Sequence, residues 1–119
     1  AEDNVINSEI AVEILRELGI HTEVVTNGEE CVNAIISHGS GYYDLVLMDI
    51  QMPVMDGYEA TRNIRRLQDK DKRIIPVIAM TANVFEEDKE KAYQSGMNGH
   101  LSKPLDTRLL VSMLENNLR

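Results

Sequence analysis

Leu45-Val46-Leu47-Met48-Asp49-Ile50-Gln51-Met52-Pro53 carries four consecutive apolar residues straight into a carboxylate, and its reading decides the fold. Because Leu45 to Met48 shows no polar alternation, it predicts a strand buried on both faces, as parallel sheets require. Two further runs end the same way: Ile75 to Met80 stops at Thr81, and His100 to Ser102 stops at Lys103. Helical patterns separate the runs, and strands alternating with helices predict a doubly wound α/β fold with a parallel sheet. In such a sheet the carboxyl ends of the strands share one edge, so Asp49, Thr81 and Lys103 converge on one crevice. The acid pair Glu2-Asp3, followed at once by a helical pattern, joins that rim if a strand leads into it.

The helices are read from spacing and punctuation. Ile6, Ile10, Ala11, Ile14, Leu15 and Leu18 recur at helical intervals, predicting a helix over about Asn7 to Leu18, with Asn4 or Asn7 as cap and Gly19 as a left-handed stop. His21 to Thr26 is a short β-branched stretch ended by Asn27-Gly28 and read as a strand, after which Glu29 to Ser37 is helical and Gly39-Ser40-Gly41 breaks it. Gly57 to Arg66 and Glu86 to Ser95 are helices, with Gln68 to Arg73 a charged loop. Asp106 to Leu118 closes the chain, with Leu109, Leu110, Met113 and Leu114 on its apolar side.

Composition narrows the function. At 119 residues the chain is one domain with room for one core. Twenty acidic against twelve basic residues give a net charge of -8, which opposes phosphate backbones and argues against direct nucleic-acid binding. The single Cys31 excludes an intramolecular disulfide and reads as a small buried hydrophobe. No run reaches the length of a membrane span and no signal-peptide pattern is present, so the expectation is a soluble, cytoplasmic domain, in a parent protein that can itself be membrane-anchored. His21 and His38 read as surface residues, the six methionines as packing, and Glu86 to Lys91 as a solvated helix face with i,i+4 pairs.

The strand-end residues carry the chemistry. Carboxylates gathered at one edge repel one another, and a divalent cation among them makes the cluster tolerable. Mg2+ suits the site because it takes oxygen ligands, keeps part of its water shell and bridges to phosphate. Lys103 offers a compact charge for a phosphoryl oxygen, and Thr81 a hydroxyl donor. Singly, each residue has an ordinary reading as a turn or surface group. Together they are the parts for phosphoryl transfer to a carboxylate.

Four segments then carry a resemblance: Glu2-Asp3-Asn4; Leu47-Met48-Asp49-Ile50-Gln51-Met52-Pro53-Val54-Met55-Asp56-Gly57; Ile78-Ala79-Met80-Thr81-Ala82-Asn83; and Gly96-Met97-Asn98-Gly99-His100-Leu101-Ser102-Lys103-Pro104. In this order the chain resembles a receiver domain of two-component signalling, with wording most similar to receivers of hybrid sensor histidine kinases. The resemblance implies a flavodoxin-like receiver fold over residues 1–119. It implies that Asp49 takes a phosphoryl group from a phosphohistidine and that Asp3, Asp49 and the backbone carbonyl of Gln51 ligate Mg2+, with Glu2 acting through a water. Lys103, followed by a Pro104 whose counterpart is a cis peptide, would pair with the phosphoryl group. Thr81 and the Ala82 N–H would approach the phosphate, and His100 stands where receivers carry a switching aromatic. The implied partners are a histidine kinase as donor and a histidine phosphotransfer protein or an output domain as acceptor, with no enzymatic turnover beyond the domain's own phosphorylation and dephosphorylation.

Two competitors remain. A Mg2+-dependent aspartyl phosphohydrolase would place a second Asp two residues after its nucleophile, where this chain has Gln51. A flavin module would need a hydroxyl-rich phosphate loop after its first strand, and the nearest such cluster, Gly39-Ser40-Gly41, lies on the wrong side of a strand. The alternation also lacks a strand before the first helix, so the sequence leads to the expectation of an N-terminally truncated domain whose native form has about five further apolar residues upstream.

Overall fold

The structure, a computed structural model, describes residues 1–39, 41–81, 86–103 and 105–117. Among these residues three parallel strands, β1 (Val46–Asp49), β2 (Val77–Thr81) and β3 (Gly99–Ser102), form a sheet in the order β1-β2-β3. Val46 pairs with Val77 and Asp49 with Met80, while Ile78 pairs with Gly99 and Thr81 with Ser102. This register puts Asp49, Thr81 and Lys103 within one residue of a common edge. Every residue of β2 is buried, as its uninterrupted apolar run predicts for a central strand.

Among the described residues six helices cover the two faces: α1 (Val5–Glu17), α2 (Gly28–Ser37), α3 (Gly57–Arg65), the single turn α4 (Lys70–Arg73), α5 (Glu86–Ser95) and α6 (Thr107–Asn117). Side-chain oxygens start five of them: Asn4 accepts from Asn7 N–H, Asn27 from Glu30, Asp56 from Glu59, Asp69 from Asp71 and Lys72, and Asp106 from Arg108 and Leu109. Successive side chains of β2 diverge, so Val77 and Ala79 join a core with α2, α3 and α5 residues such as Ile35, Ile64 and Ala92, while Ile78 packs with Leu15 of α1 and Leu110 and Leu114 of α6. Helices on both faces make the sheet doubly wound. Cys31 is buried in the first core, and burial pushes its thiol pKa up, in keeping with an inert packing residue.

Several expectations need correction. His21 to Thr26 forms no strand, because its one backbone bond of this kind is the Glu2 N–H donating to the Val25 carbonyl at 2.9 Å, too little for a ladder. Gln68 to Arg73 is not all loop, since the Asp69 carboxylate caps the turn of α4. Leu109 is 56% exposed, because α6 turns only Leu110 and Leu114 fully inward. His38 is half-buried rather than superficial. It lies just beyond α2 with Nδ1 2.9 Å from the Ala34 carbonyl and stacks on Tyr42 at 4.1 Å. Ser40, Ala82, Asn83, Pro104 and Leu118 lie outside the described residues.

Arg65, unremarkable in the sequence, ties the far end of the domain together. Its guanidinium donates to the carbonyls of Gly96, Arg73 and Ile75 and to Asn98 Oδ1, at 2.6–2.9 Å. Asn98 Oδ1 in turn accepts from the Val77 N–H at 2.9 Å, so the end of α3 fixes the start of β2. Satisfying several loop carbonyls with one cation avoids leaving them desolvated and unpaired.

Candidate functional site

Strand β1 delivers Asp49 to the carboxyl edge of the sheet, and β3 ends one residue before Lys103. The Lys103 N–H donates to the Thr81 carbonyl at 2.8 Å, which locks the two strand ends together. Lys103 Nζ then reaches back across the edge to Glu2 Oε1 at 2.7 Å and Asp49 Oδ2 at 3.1 Å. Glu2 arrives from the other side, held by its N–H to Val25 and by the Asp49 N–H donating to the Ala1 carbonyl at 3.0 Å. Two buried carboxylates, Glu2 and Asp49, each 5% exposed, thus share one half-buried ammonium.

Asp3 completes the cluster from the solvent side. Glu2, Asp3 and Asp49 can each offer a carboxylate oxygen within 4.8 Å of the others. Glu2 Oε2 is buried with no hydrogen-bond partner, and such an orphaned acceptor beside two more carboxylates fits a hard cation with oxygen ligands. The electrostatics are lopsided. Burial pushes the Asp49 carboxyl up, reinforced by its hydrogen bond with Glu2, to about 7, even though Lys103 opposes the rise. Burial works to raise Glu2 as well, but its bonds with Asp49 and Lys103 outweigh this and hold it at about 2. Desolvation acts to lower the Lys103 ammonium, yet the two carboxylates win and raise it. Near neutrality Asp49 is therefore poised between its protonated and charged forms, where an isolated carboxyl would be fully charged.

The segment after Asp49 is shaped by close backbone contacts. The Gly57 N–H donates to the Ile50 carbonyl at 2.8 Å, and a Cβ at Gly57 would stand 2.3 Å from the Asp49 carbonyl oxygen. Between them Val54, 75% exposed, has φ 68°, a left-handed conformation that β-branched residues rarely adopt. A Gly directly after Asp56 was the available signal for the close approach; nothing in the sequence signals the Val54 strain. Beside the cluster lies an open cleft of about 540 Å3, lined by residues that include Asp3, Gln51, Met52, Asp56, Asp88 and Lys91. Gln51 is exposed there, so its expected contribution rests on its main chain. Thr81 is buried at the end of β2, and half-buried His100 meets Tyr93 edge-on with ring centroids 6.2 Å apart. The structure thus brings together Glu2, Asp3, Asp49 and Lys103, sets Thr81 beside Lys103, and keeps His100 on β3. Ala82, expected as a second donor, lies outside the described residues.

Comparison with known proteins agrees with this arrangement. Residues 1–115 match the family model described as response regulator receiver domain. The chain is 39% identical over 120 residues to hybrid signal transduction histidine kinase K of Dictyostelium discoideum, covering 97% of this chain but spanning only 10% of the kinase's length. Among solved structures it is 38% identical, with a TM-score of 0.86, to the receiver domain of sensor histidine kinase PA1611 from Pseudomonas aeruginosa, which has a magnesium ion coordinated in its active site cleft; 98% of this chain and 92% of that one are covered. A further match, with 33% identity, a TM-score of 0.83 and coverage of 98% and 83%, is the receiver domain of the Saccharomyces cerevisiae response regulator Ssk1, crystallised with the histidine phosphotransfer protein Ypd1. A flavodoxin-like parallel sheet, a strand-end Asp49 bridged by Lys103 to a second carboxylate, and a family match across nearly its whole length leave one assignment: this chain belongs to the response regulator receiver domain family of two-component signalling.

Proposed function

We propose that Asp49 is the phosphoacceptor of this domain, with Asp3, Asp49 itself and the Gln51 carbonyl holding Mg2+, Glu2 acting through a water, and Lys103 receiving the phosphoryl oxygens. The observation that carries the reading is the Lys103 ammonium bridging Glu2 and Asp49 at 2.7 and 3.1 Å beside a third carboxylate. Mg2+, when bound, supplies positive charge to the carboxylates and to the incoming phosphoryl group. Where Asp49 holds a proton it first releases it to water, since only the carboxylate attacks. One of its oxygens then forms the bond to phosphorus while the phosphorus–nitrogen bond of a donor phosphohistidine breaks, the nitrogen keeping the electron pair. Lys103 has a phosphoryl oxygen to move to as Asp49 turns its charge outward, and the Thr81 hydroxyl and Ala82 N–H stand in sequence to bond the same group. Partners are a histidine kinase as donor and a histidine phosphotransfer protein or an output domain as receiver of the signal, with Thr81 and His100 as the switch. The domain acts as one module of a cytoplasmic phosphorelay; no helix among the described residues is long and apolar enough to cross a membrane.

Acetyl phosphate with Mg2+ should load one phosphoryl group per chain, and a chelator should stop the reaction; uptake that is indifferent to the chelator contradicts the reading. Two variants separate the roles. Asp3→Ala should weaken Mg2+ binding by about 10-fold or more, as loss of one ligand implies. Lys103→Ala should not weaken it, because an ammonium repels the cation, yet should slow phosphorylation by roughly 100-fold through loss of a charge-assisted contact. Identical Mg2+ titrations for both would refute the division. Gln51 carries no acid or base to activate water, so the phosphorylated domain should lose phosphate over minutes or longer. Continuous phosphate release near the ~10 per second typical of enzymes would favour the phosphohydrolase instead.

A further inference from the structure

Charge is spread unevenly along this acidic chain. Residues 62–73 hold six of its twelve basic residues, Arg62, Arg65, Arg66, Lys70, Lys72 and Arg73, but only two of its twenty acidic ones. That stretch carries +4 and the rest of the chain -12, so a local positive field persists within an overall charge of -8. The fold gathers the stretch into one corner. Arg62 and Arg66, both exposed, stand one turn apart at the end of α3, and the Arg65 guanidinium beside them reaches the Arg73 and Ile75 carbonyls at 2.9 and 2.6 Å, which draws α4 against α3. Lys70 is exposed on α4, and Lys72 Nζ is tied to the Ile36 carbonyl at 3.0 Å. Among the described residues Arg62, Arg66, Lys70 and Arg73 form no ion pair. Asp69 spends its carboxylate on the cap of α4, which leaves Asp71 as the one other acid in the stretch. Ile74 follows directly and is 70% exposed. Arg65 holds the carbonyls on either side of it, so its backbone is fixed while its side chain stands in water.

We propose that this corner is a docking surface for an acidic segment of a partner protein, which sets Asp or Glu side chains against Arg62, Arg66, Lys70 and Arg73 and one aliphatic side chain against Ile74. Charge complementarity selects that occupant. Nucleic acid and anionic membranes extend well beyond one corner, so they also meet the remaining -12 and are repelled, whereas a short acidic segment meets the corner alone. Ile74 supplies what charge does not: a rigid apolar anchor inside a charged rim, ordered before the partner arrives. The corner lies at the amino ends of the strands, since Ile75 leads into β2, and Gly96 and Asn98, the other residues Arg65 grips, lead into β3. Asp49, Thr81 and Lys103 stand at the opposite, carboxyl ends, so a segment bound here leaves the phosphoacceptor edge free, as a tether does. The inference stands apart from the phosphoacceptor reading, and its readouts involve no phosphate.

The test titrates the 119-residue chain with the labelled peptide Glu-Glu-Leu-Glu-Glu-Ile-Glu-Glu and with its counterpart Gln-Gln-Leu-Gln-Gln-Ile-Gln-Gln. At low salt the acidic peptide should bind at least ~10-fold more tightly than the Gln peptide, and it should lose roughly 10-fold in affinity when the salt is raised to about 0.2 M, as screening of exposed charges requires. Arg66→Glu should weaken binding by about 10-fold while melting within about 2 °C of the parent, whereas Arg16→Glu, the same charge change on α1, should leave the affinity within about 2-fold. Ile74→Ser should weaken binding by about 5-fold at both salt concentrations, which loss of charge alone does not do. An acidic peptide that binds no better than the Gln peptide overturns the site, and so do equal affinities for Arg66→Glu and Arg16→Glu. Tighter binding of a short single-stranded RNA or of phosphatidylserine vesicles than of the acidic peptide overturns the choice of occupant, as does a dimer of the chain alone that Arg66→Glu dissolves.

Discussion

Asp49→Asn is expected to take up no phosphate from acetyl phosphate and Mg2+ and, at pH 8 without metal, to melt above the parent chain. The first effect is loss of the nucleophile, since an amide oxygen does not form the acyl phosphate. The second follows from the cluster. In the folded chain Asp49 titrates near 7, well above its ordinary value of 3.8, because burial and the neighbouring Glu2 disfavour its charge. A raised carboxyl pKa means that the folded state binds the proton more tightly, so this group's contribution to stability falls as pH climbs from about 4 through about 7, and the loss is complete above that. Asn does not titrate and suffers no such loss. Lys103 keeps its 2.7 Å contact to Glu2 in the variant, so removing the Asp49 charge does not leave the ammonium unpaired, and this decides the sign. The gain should be on the order of 2 kcal/mol, or about 8 °C, at pH 8, and should shrink toward zero near pH 4. Saturating Mg2+ should stabilise the parent more than the variant and narrow the gap. A melting difference that does not vary with pH would contradict the raised affinity of Asp49 for its proton.

Gly57→Ala should be the most damaging small substitution in the site. Alanine favours a helix over glycine by about 1 kcal/mol, but the added methyl would lie 2.3 Å from the Asp49 carbonyl oxygen, 3.0 Å from Ile50 Cα and 3.0 Å from Met48 Cγ. Two of those atoms are backbone, so relief requires moving the end of β1 or the start of α3. Overpacking of this kind costs about 3 kcal/mol, which outweighs the propensity gain, and the melting point should fall by roughly 10 °C. Because the displaced atoms belong to the proposed phosphoacceptor itself, phosphorylation of the folded fraction should fall as well, by as much as ~100-fold for a shift near 1 Å. Gly39→Ala is the control: its methyl meets no atom within 4 Å, and its melting point should stay within about 2 °C of the parent. Equal melting points for Gly57→Ala and Gly39→Ala would show that the β1–α3 contact is loose.

The strands were legible because they are buried on both faces: Val46–Asp49 and Val77–Thr81 read as unbroken apolar runs, and only the first and last residues shift. Apolar spacing made the helices legible too, and Asn4 caps the first as its position suggested, whereas Asn27 and Asp56 also prove to be caps that the sequence reading did not name. His21 to Thr26 misled because β propensity reports a fit to a neighbouring strand, and only Glu2 offers it a rung. The convergence of Glu2, Asp49 and Lys103 was legible from strand ends, since topology alone brings them to one edge. What was not legible depends on three-dimensional proximity without a local pattern: the four-acceptor grip of Arg65, the methyl-free contact of Gly57 with the Asp49 carbonyl, and the stacking of His38 on Tyr42.

The central claim is that one carboxylate, Asp49, accepts the phosphoryl group, and its most direct test is to locate the acyl phosphate chemically. Borohydride reduces an acyl phosphate to the corresponding alcohol while sparing free carboxylates. The phosphorylated chain, reduced and digested, should therefore show homoserine in place of aspartate at position 49 alone. Reduction at Asp3, Glu2 or any other carboxyl, with position 49 still aspartate, would contradict the account.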